Sequence, residues 1–207
     1  MIITKIERQK KNRKRCNVYL DDEFFCGLYD DTVLKYGLAK GDDINEKKIN
    51  EIKGFDEYIY GKKIAYDYLS YRIRTVSEIK KKLKSKKIPD GTIEKVLKHL
   101  SELGLTNDEE FAKQLVLEKI KRKLAGKKLI KQKLFEKGIL KSVGEDVLEK
   151  VFKDVDEKEL ALENFRKYFP RIKVKSRDEK RKKVYDYLVR KGFDYDVINQ
   201  IIYENIK

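Results

Sequence analysis

The sequence predicts a mainly α-helical protein: three tandem three-helix units stacked into a curved array, behind a small α+β module. Three observations carry this. First, five apolar residues recur at offsets 0, 4, 9, 17 and 18, as Ile79, Leu83, Ile88, Val96 and Leu97, then Ile130, Leu134, Ile139, Val147 and Leu148, then Val184, Leu188, Phe193, Ile201 and Ile202, with registers 51 and 54 residues apart. A repeat of that length marks units that cannot bury an apolar face alone and share their cores. Second, only 2 of 207 residues are Pro, so long helices meet few breakers. Third, residues 1–29 differ from the rest, with period-two alternation at Cys16, Val18 and Leu20 and again at Phe24, Cys26 and Leu28.

Taken in order, the elements are these. Ile2, Ile3 and Ile6 open the chain, followed by the basic run Lys10, Lys11, Arg13, Lys14 and Arg15. Cys16, Val18 and Leu20 alternate up to a turn at Asp21-Asp22-Glu23, and Phe24, Cys26 and Leu28 alternate after it, which reads as a hairpin or three-stranded meander. A short helix is expected over 30–38, stopped near Gly37 or Gly41, and another from Asn45 to Lys53, ended by Gly54. The expected domains are therefore 1–55, then the repeats 56–106, 107–155 and 156–207.

The first helix of repeat one places Ile64, Ala65, Tyr68, Leu69, Arg72 and Ile73 on one face; in repeat two Leu115, Val116, Ile120 and Leu124 stand 51 residues after Ile64, Ala65, Leu69 and Ile73. The third copy, about 157–172 with Leu160, Phe165 and Phe169, fits less well. Four pairs read as capping boxes: Thr75 with Glu78, Asn107 with Glu110, Ser142 with Glu145, and Ser176 with Glu179. Gly104, Gly126, Gly138 and Gly192 fall where helices should end, giving about nine helices in the repeats.

Composition narrows the function. Lys plus Arg is 51 against 36 acids, a formal charge of +15, which favours a polyanion: nucleic acid, a protein–nucleic acid assembly or an anionic surface. No apolar run approaches the roughly 18 residues of a membrane span, and the N-terminus lacks the apolar stretch of a signal peptide. Cys16 and Cys26 alone make no disulfide framework, so a cytoplasmic protein with reduced thiols is expected.

Signs of catalysis are poor. His99 is the single histidine, which rules out a four-ligand Cys/His zinc site within this chain and leaves a His-based triad without a supporting motif. No phosphate-binding Gly-rich loop ends in Lys-Ser or Lys-Thr. The acidic clusters Asp21-Asp22-Glu23, Asp42-Asp43 and Asp108-Glu109-Glu110 sit at turns or in a first helical turn, where acids suit the helix dipole better than a nuclease metal site. No enzyme, cofactor or metal is expected.

The basic residues cluster on corresponding elements of all three repeats. Repeat one carries Lys80, Lys81, Lys82, Lys84, Lys86 and Lys87. Repeat two carries Lys119, Lys121, Arg122, Lys123, Lys127, Lys128, Lys131, Lys133 and Lys137, with Glu136 the one acid among them. Repeat three carries Lys180, Arg181, Lys182, Lys183, Arg190 and Lys191. They make either a track for phosphates, with little base preference, or a solvated outer face. Arg74 is expected to face outward with them. Arg72, on the apolar stripe, must snorkel or find an anion, and Glu78 is the expected partner.

At these residues the chain resembles the RecX family of bacterial recombination regulators. One block is Ala65-Tyr66-Asp67-Tyr68-Leu69-Ser70-Tyr71-Arg72-Ile73-Arg74-Thr75-Val76-Ser77-Glu78-Ile79, followed by Leu83. A second is Leu100-Ser101-Glu102-Leu103-Gly104-Leu105-Thr106-Asn107-Asp108-Glu109-Glu110-Phe111-Ala112. A third is Gly126, Ile130, Leu134 and Lys137-Gly138-Ile139. The likeness covers 58–155 well and the third repeat loosely. The N-terminal module resembles an extension of some members. Thr75 and Ile79 stand where serine and leucine are frequent, swaps that keep the chemistry. The resemblance implies a non-enzymatic monomer that binds the groove of the RecA filament on single-stranded DNA and restrains ATP hydrolysis, strand exchange and co-protease activity in DNA repair and the SOS response. Direct weak DNA binding would accompany it. It assigns structural parts to Arg72, Glu78, Asn107, Asp108 and Phe111. The rival reading is a sequence-nonspecific DNA- or RNA-binding helical module that acts without RecA.

Overall fold

The computed structural model describes residues 1–122 and 125–206. It has two compact units: residues 1–73 with 79–106, and residues 74–78 with 107–207.

The first unit begins with strands β1 (Ile3–Arg8), β2 (Arg15–Leu20) and β3 (Glu23–Tyr29), an antiparallel meander in the order β1-β2-β3. Cys16 pairs with Leu28 and Val18 with Cys26, so the alternate residues Cys16, Val18 and Leu20 turn inward together. Asp21 and Asp22 take φ of 47° and 66° to close the hairpin, which short polar residues tolerate. Helix α1 (Asp30–Tyr36) stops at Gly37, whose left-handed φ of 58° lets its N–H cap the last carbonyls. Ile3, Val18, Leu20, Leu28, Ile44, Ile49 and Ile52 form the core beneath this sheet.

Helix α2 (Glu46–Leu69) corrects two expectations. It starts at an Asn45 cap, as the sequence suggests, but does not end at Gly54. A Cβ at Gly54 would meet open space, so nothing there needs glycine's special conformations, and the helix runs on for 24 residues. Asp56, mid-helix, accepts from the Tyr29 N–H at 2.6 Å and the Thr32 hydroxyl at 2.8 Å, fastening the end of the sheet and the buried start of α1 to α2. The same helix then buries Ile59, Gly61, Ile64 and Ala65 against α4 (Asp90–Glu102), with Gly61 lying where a Cβ would come within 3.1 Å of Val96. One helix thus serves both the N-terminal module and the first repeat. At its far end α2 stops at Leu69, where the Ser70 hydroxyl bonds back to the Asp67 carbonyl. Arg72 and Ile73 therefore lie beyond the helix and are exposed; they do not continue its apolar face. His99, on α4, shares a 2.8 Å hydrogen bond with the Tyr66 hydroxyl and meets Tyr58 edge-on.

Helix α3 (Val76–Ser85) buries Ile79 and Leu83. The second unit continues with α5 (Asp108–Lys121), α6 (Lys127–Glu136), α7 (Lys141–Phe152), α8 (Glu157–Tyr168), α9 (Arg177–Arg190) and α10 (Tyr195–Asn205), with a 3-10 turn at Phe169–Arg171. Two cores follow the repeat spacing. One gathers Phe111, Ala112, Val116, Ile130, Leu134, Ile139, Val147 and Leu148; the other gathers Leu160, Phe165, Val184, Leu188, Phe193, Ile198 and Ile201. Leu124, expected on the first helix of repeat two, lies outside the described residues.

Two of the four expected caps form. Thr75 Oγ1 accepts from the Glu78 N–H at 3.1 Å while Glu78 reaches back to the Thr75 N–H, and Asn107 accepts from the Glu110 N–H at 2.9 Å. Ser142 is inside α7, which begins a residue earlier behind Leu140, and Glu145 pairs with Lys131 instead. Ser176 occupies the cap position of α9 without a side-chain bond. Gly104, Gly138 and Gly192 follow helix ends at positive φ, but Gly126 opens α6. Among the described residues no helix is long and apolar enough to cross a membrane.

Candidate partner and nucleic-acid interface

The basic helices are held by a joint that recurs within the second unit. The opening turn of α3, residues 74–78, packs there. Thr75 Oγ1 donates to the Lys137 carbonyl at 2.8 Å, and Gly138 (φ 76°) packs so tightly on Ser77 that a Cβ would collide with its side chain. Displaced by 51 and 54 residues, the same joint recurs at the start of α6. The Gly126 N–H donates to the Lys191 carbonyl at 2.8 Å, the Lys128 N–H donates to the Gly192 carbonyl at 3.0 Å, and Gly192 (φ 82°) lies where a Cβ would strike the Leu129 backbone. Gly126 is glycine for the same reason, since a Cβ would sit 2.6 Å from the Gly192 oxygen.

Each joint also has a carboxylate. Asp108, first residue of α5, accepts from the Val76 N–H at 3.0 Å; Glu157, first residue of α8, accepts from the Lys127 N–H at 3.1 Å. Each satisfies a free amide at the start of another helix, where the dipole favours negative charge. Burial pushes the Asp108 carboxyl above its ordinary value, with Glu78 adding to the rise and the Val76 N–H opposing it. Burial also pushes Glu157 up, against its bond from Lys127. Glu157 escaped the sequence reading. Its signal was its place directly after the cap residue Asp156, as Asp108 follows Asn107.

The structural-motif residues fall into this frame. Phe111 is buried in the core of repeat two, and Asn107 caps α5. Glu78 lies 3.0 Å from Lys137 Nζ. Arg72 donates to the Ile73 carbonyl at 2.8 Å from its exposed position beyond α2. Arg74 is half-buried beside the joint.

The sequence-selected lysines and arginines divide. Lys137 is part of the joint through both its carbonyl and its ammonium. Lys80 pairs with Glu94 at 2.6 Å and Lys131 with Glu145 at 2.5 Å, the same pair repeated 51 residues on. Lys84 pairs with Asp90, Lys128 with Asp194, Lys133 with Glu136, and Arg122 with Glu118. Such exposed pairs are screened and weak, so a polyphosphate can displace the acid. Lys81 is exposed, while Lys119 and Lys127 are half-buried, and none of the three makes an ion pair among the described residues. Lys123 lies outside the described residues. On α9 Lys182, Lys183 and Arg190 are exposed. Among the described residues no group of three or more His, Cys, Asp or Glu side chains converges. Burial pushes the Cys26 thiol up to about 11, which keeps it protonated at neutral pH.

Comparison with known proteins decides the family. The sequence matches the RecX regulatory protein N-terminal domain over residues 1–45, and the first, second and third RecX three-helix domains over 62–100, 107–148 and 156–202. The chain belongs to the RecX family. The regulatory protein RecX of Clostridioides difficile is 35% identical over 97% of this chain and 94% of its own length. That of Bacillus subtilis is 34% identical over 98% of this chain and 78% of its own. A crystal structure of a regulatory protein RecX superposes with a TM-score of 0.77 at 34% identity, covering 97% of this chain and 98% of that one. A second, RecX from Lactobacillus salivarius, gives 0.65 at 33% identity over 72% and 96%. Set among these RecX proteins, the N-terminal sheet is a family domain in its own right, and the third repeat, the loosest in sequence, is one too.

Proposed function

We propose that this RecX-family protein regulates the RecA recombinase without chemistry of its own. It binds the groove of the RecA filament on single-stranded DNA and restrains ATP hydrolysis, strand exchange and co-protease activity during DNA repair and the SOS response. The observation that carries this is the recurrence, in a RecX-family chain, of an exposed lysine-rich second helix in each tandem unit: α3, α6 and α9. A partner that is itself a repeat, recombinase protomers along a phosphate backbone, suits a chain that presents the same element three times. The four sections 1–55, 56–106, 107–155 and 156–207 act in this reading as one monomeric, cytoplasmic regulator. Restraint requires that the protein bind one state of the filament more tightly than the other.

The test is single-stranded-DNA-dependent ATP hydrolysis by the cognate RecA, titrated with this protein at fixed DNA and moderate salt. Inhibition well below one chain per recombinase protomer supports regulation of the filament. Unchanged ATPase and strand exchange at saturation overturn it. Inhibition that appears only when the DNA is covered favours the rival, a nucleic-acid-binding module acting alone. That rival's affinity should fall on the order of a thousandfold between about 50 and 200 mM salt if it contacts about six phosphates.

A further inference from the structure

Between α6 and α7 the second unit carries an open groove of about 360 Å³, floored by Leu134, Phe135, Ile139 and Leu140. Phe135 is 77% exposed and Leu140 70% exposed. The fold does not ask for apolar side chains at these places. The positions 51 residues earlier hold Lys84, ion-paired to Asp90 at 3.0 Å, and Pro89. The positions 54 residues after Phe135 and Leu140 hold Val189, 47% exposed, and Asp194, paired with Lys128. Repeat two is therefore the unit in which both positions are large hydrophobes, each at least 70% exposed, where repeat one has Lys84 and Pro89 and repeat three has the smaller Val189 and Asp194; such a pair open to water suits a surface that a partner covers.

The rim identifies the partner's chemistry. Lys128, Lys131, Lys141 and Glu145 line the groove; Lys131 pairs with Glu145 and Lys128 with Asp194, exposed pairs that a partner's carboxylates can exchange into, while Lys141 makes no ion pair among the described residues. A second copy of this chain would bring the same basic rim and the same +15 charge against it. A nucleic-acid base would find one ring to stack on and otherwise aliphatic walls, where single-strand binders offer successive aromatics. We propose that the groove receives an acidic amphipathic segment of the regulated protein partner. An aliphatic or aromatic side chain of that segment lodges beside Phe135 and Leu140, and its carboxylates face Lys131 and Lys141. This rests on the reading above, that the partner is the recombinase filament, and adds where on this chain a protomer is held.

The experiment compares Phe135→Ala and Lys141→Glu with the parent chain. Phe135 is largely exposed, so its truncation should leave the fold intact. Lys141 is the first residue of α7, where an acid suits the helix start; that gain offsets the like-charge contact K141E makes with Glu145 four residues on, so the variant should melt close to the parent. Circular-dichroism melts check both. Each variant should need about tenfold more protein for half-inhibition of RecA ATP hydrolysis, as expected for loss of an anchor or of its charge complement. Binding to a fluorescent oligothymidylate without RecA should be unchanged. Full potency in both variants overturns the groove and leaves the regulatory reading standing. A parallel loss of oligothymidylate binding overturns it in favour of nucleic acid. A parent dimer that F135A converts to monomer in sedimentation overturns it in favour of self-association. A parent chain that neither binds nor inhibits RecA filaments overturns both readings together.

Discussion

The turn after α3 and the turns after α6 and α9 occupy the same place in three repeats, and all three need a left-handed residue. Lys87, Gly138 and Gly192 have φ of 61°, 76° and 82°. Repeat one accepts a lysine there, which shows that the left-handed conformation alone does not demand glycine; its cost for another residue is modest. What distinguishes the other two is contact. The start of α3 lies on Gly138 through Ser77, and the start of α6 lies on Gly192 through the Leu129 backbone. Glycine at this turn is therefore a record of where one helix docks on another, and the two joints themselves differ. The Lys137 carbonyl receives a side-chain hydroxyl, Thr75, whereas the equivalent Lys191 carbonyl receives a backbone amide, Gly126.

Breaking the tighter joint should have the largest effect. In Gly192→Ala the new methyl meets backbone, which cannot swing away, at a φ that is also unfavourable; a loss of roughly 3–4 kcal/mol is expected in urea denaturation followed by circular dichroism. Gly138→Ala should cost less, about 2 kcal/mol, because its methyl meets a small side chain. Adding Ser77→Gly should then recover part of that loss, whereas no recovery would mean that φ, not contact, sets the cost.

The carboxylates sharpen the comparison by pH. Asp108→Ala leaves the Val76 N–H without its acceptor and should cost about 1–2 kcal/mol at neutral pH. Asp108→Asn keeps an acceptor oxygen and removes the charge. Burial raises the folded-state pKa of Asp108, so the folded chain holds its proton to higher pH than the unfolded chain. This group's contribution therefore falls as pH rises from the ordinary carboxylate range through the raised value, and is regained on acidification. The stability of D108N relative to the parent should accordingly rise over that window and level off above it. Glu157→Gln should behave in the same sense, since burial raises Glu157 too. A flat difference across pH 4–7 in either variant would remove the buried-carboxylate account of its joint. The smallest effect is expected at the undocked turn: Lys87→Gly should change stability by no more than about 0.5 kcal/mol, with relief of the left-handed strain offset by glycine's freedom in the unfolded chain.

Much of the fold was legible because it is written locally. A period near fifty residues, five apolar positions in constant register, the caps at Thr75 and Asn107 and the alternation around Asp21 and Asp22 all act within a few turns of the chain, where spacing alone dictates which side chains share a face. The errors fell where local signals were ambiguous. Gly54 and Gly126 look like helix ends, yet one sits within a helix and the other begins one. Ser142 and Glu145 have the spacing of a capping box, but Lys131 on the preceding helix claims the glutamate.

What the sequence determined by itself is the class of molecule: a tandem array of helical units with a small sheet before it, strongly basic, with second helices rich in lysine. Tertiary structure alone decided which of the described lysines are paired, which glycines are docking points, and that Asp108 and Glu157 cap helices they do not belong to. It also decided that Phe135 and Leu140, apolar residues that a sequence reading assigns to no face in particular, stand in water beside a basic rim. The physical reason is separation along the chain. Periodicity reports interactions between residues three or four apart, whereas Thr75 with Lys137, Val76 with Asp108 and Lys127 with Glu157 are joined across 62, 32 and 30 residues, distances over which only the packed fold specifies a partner.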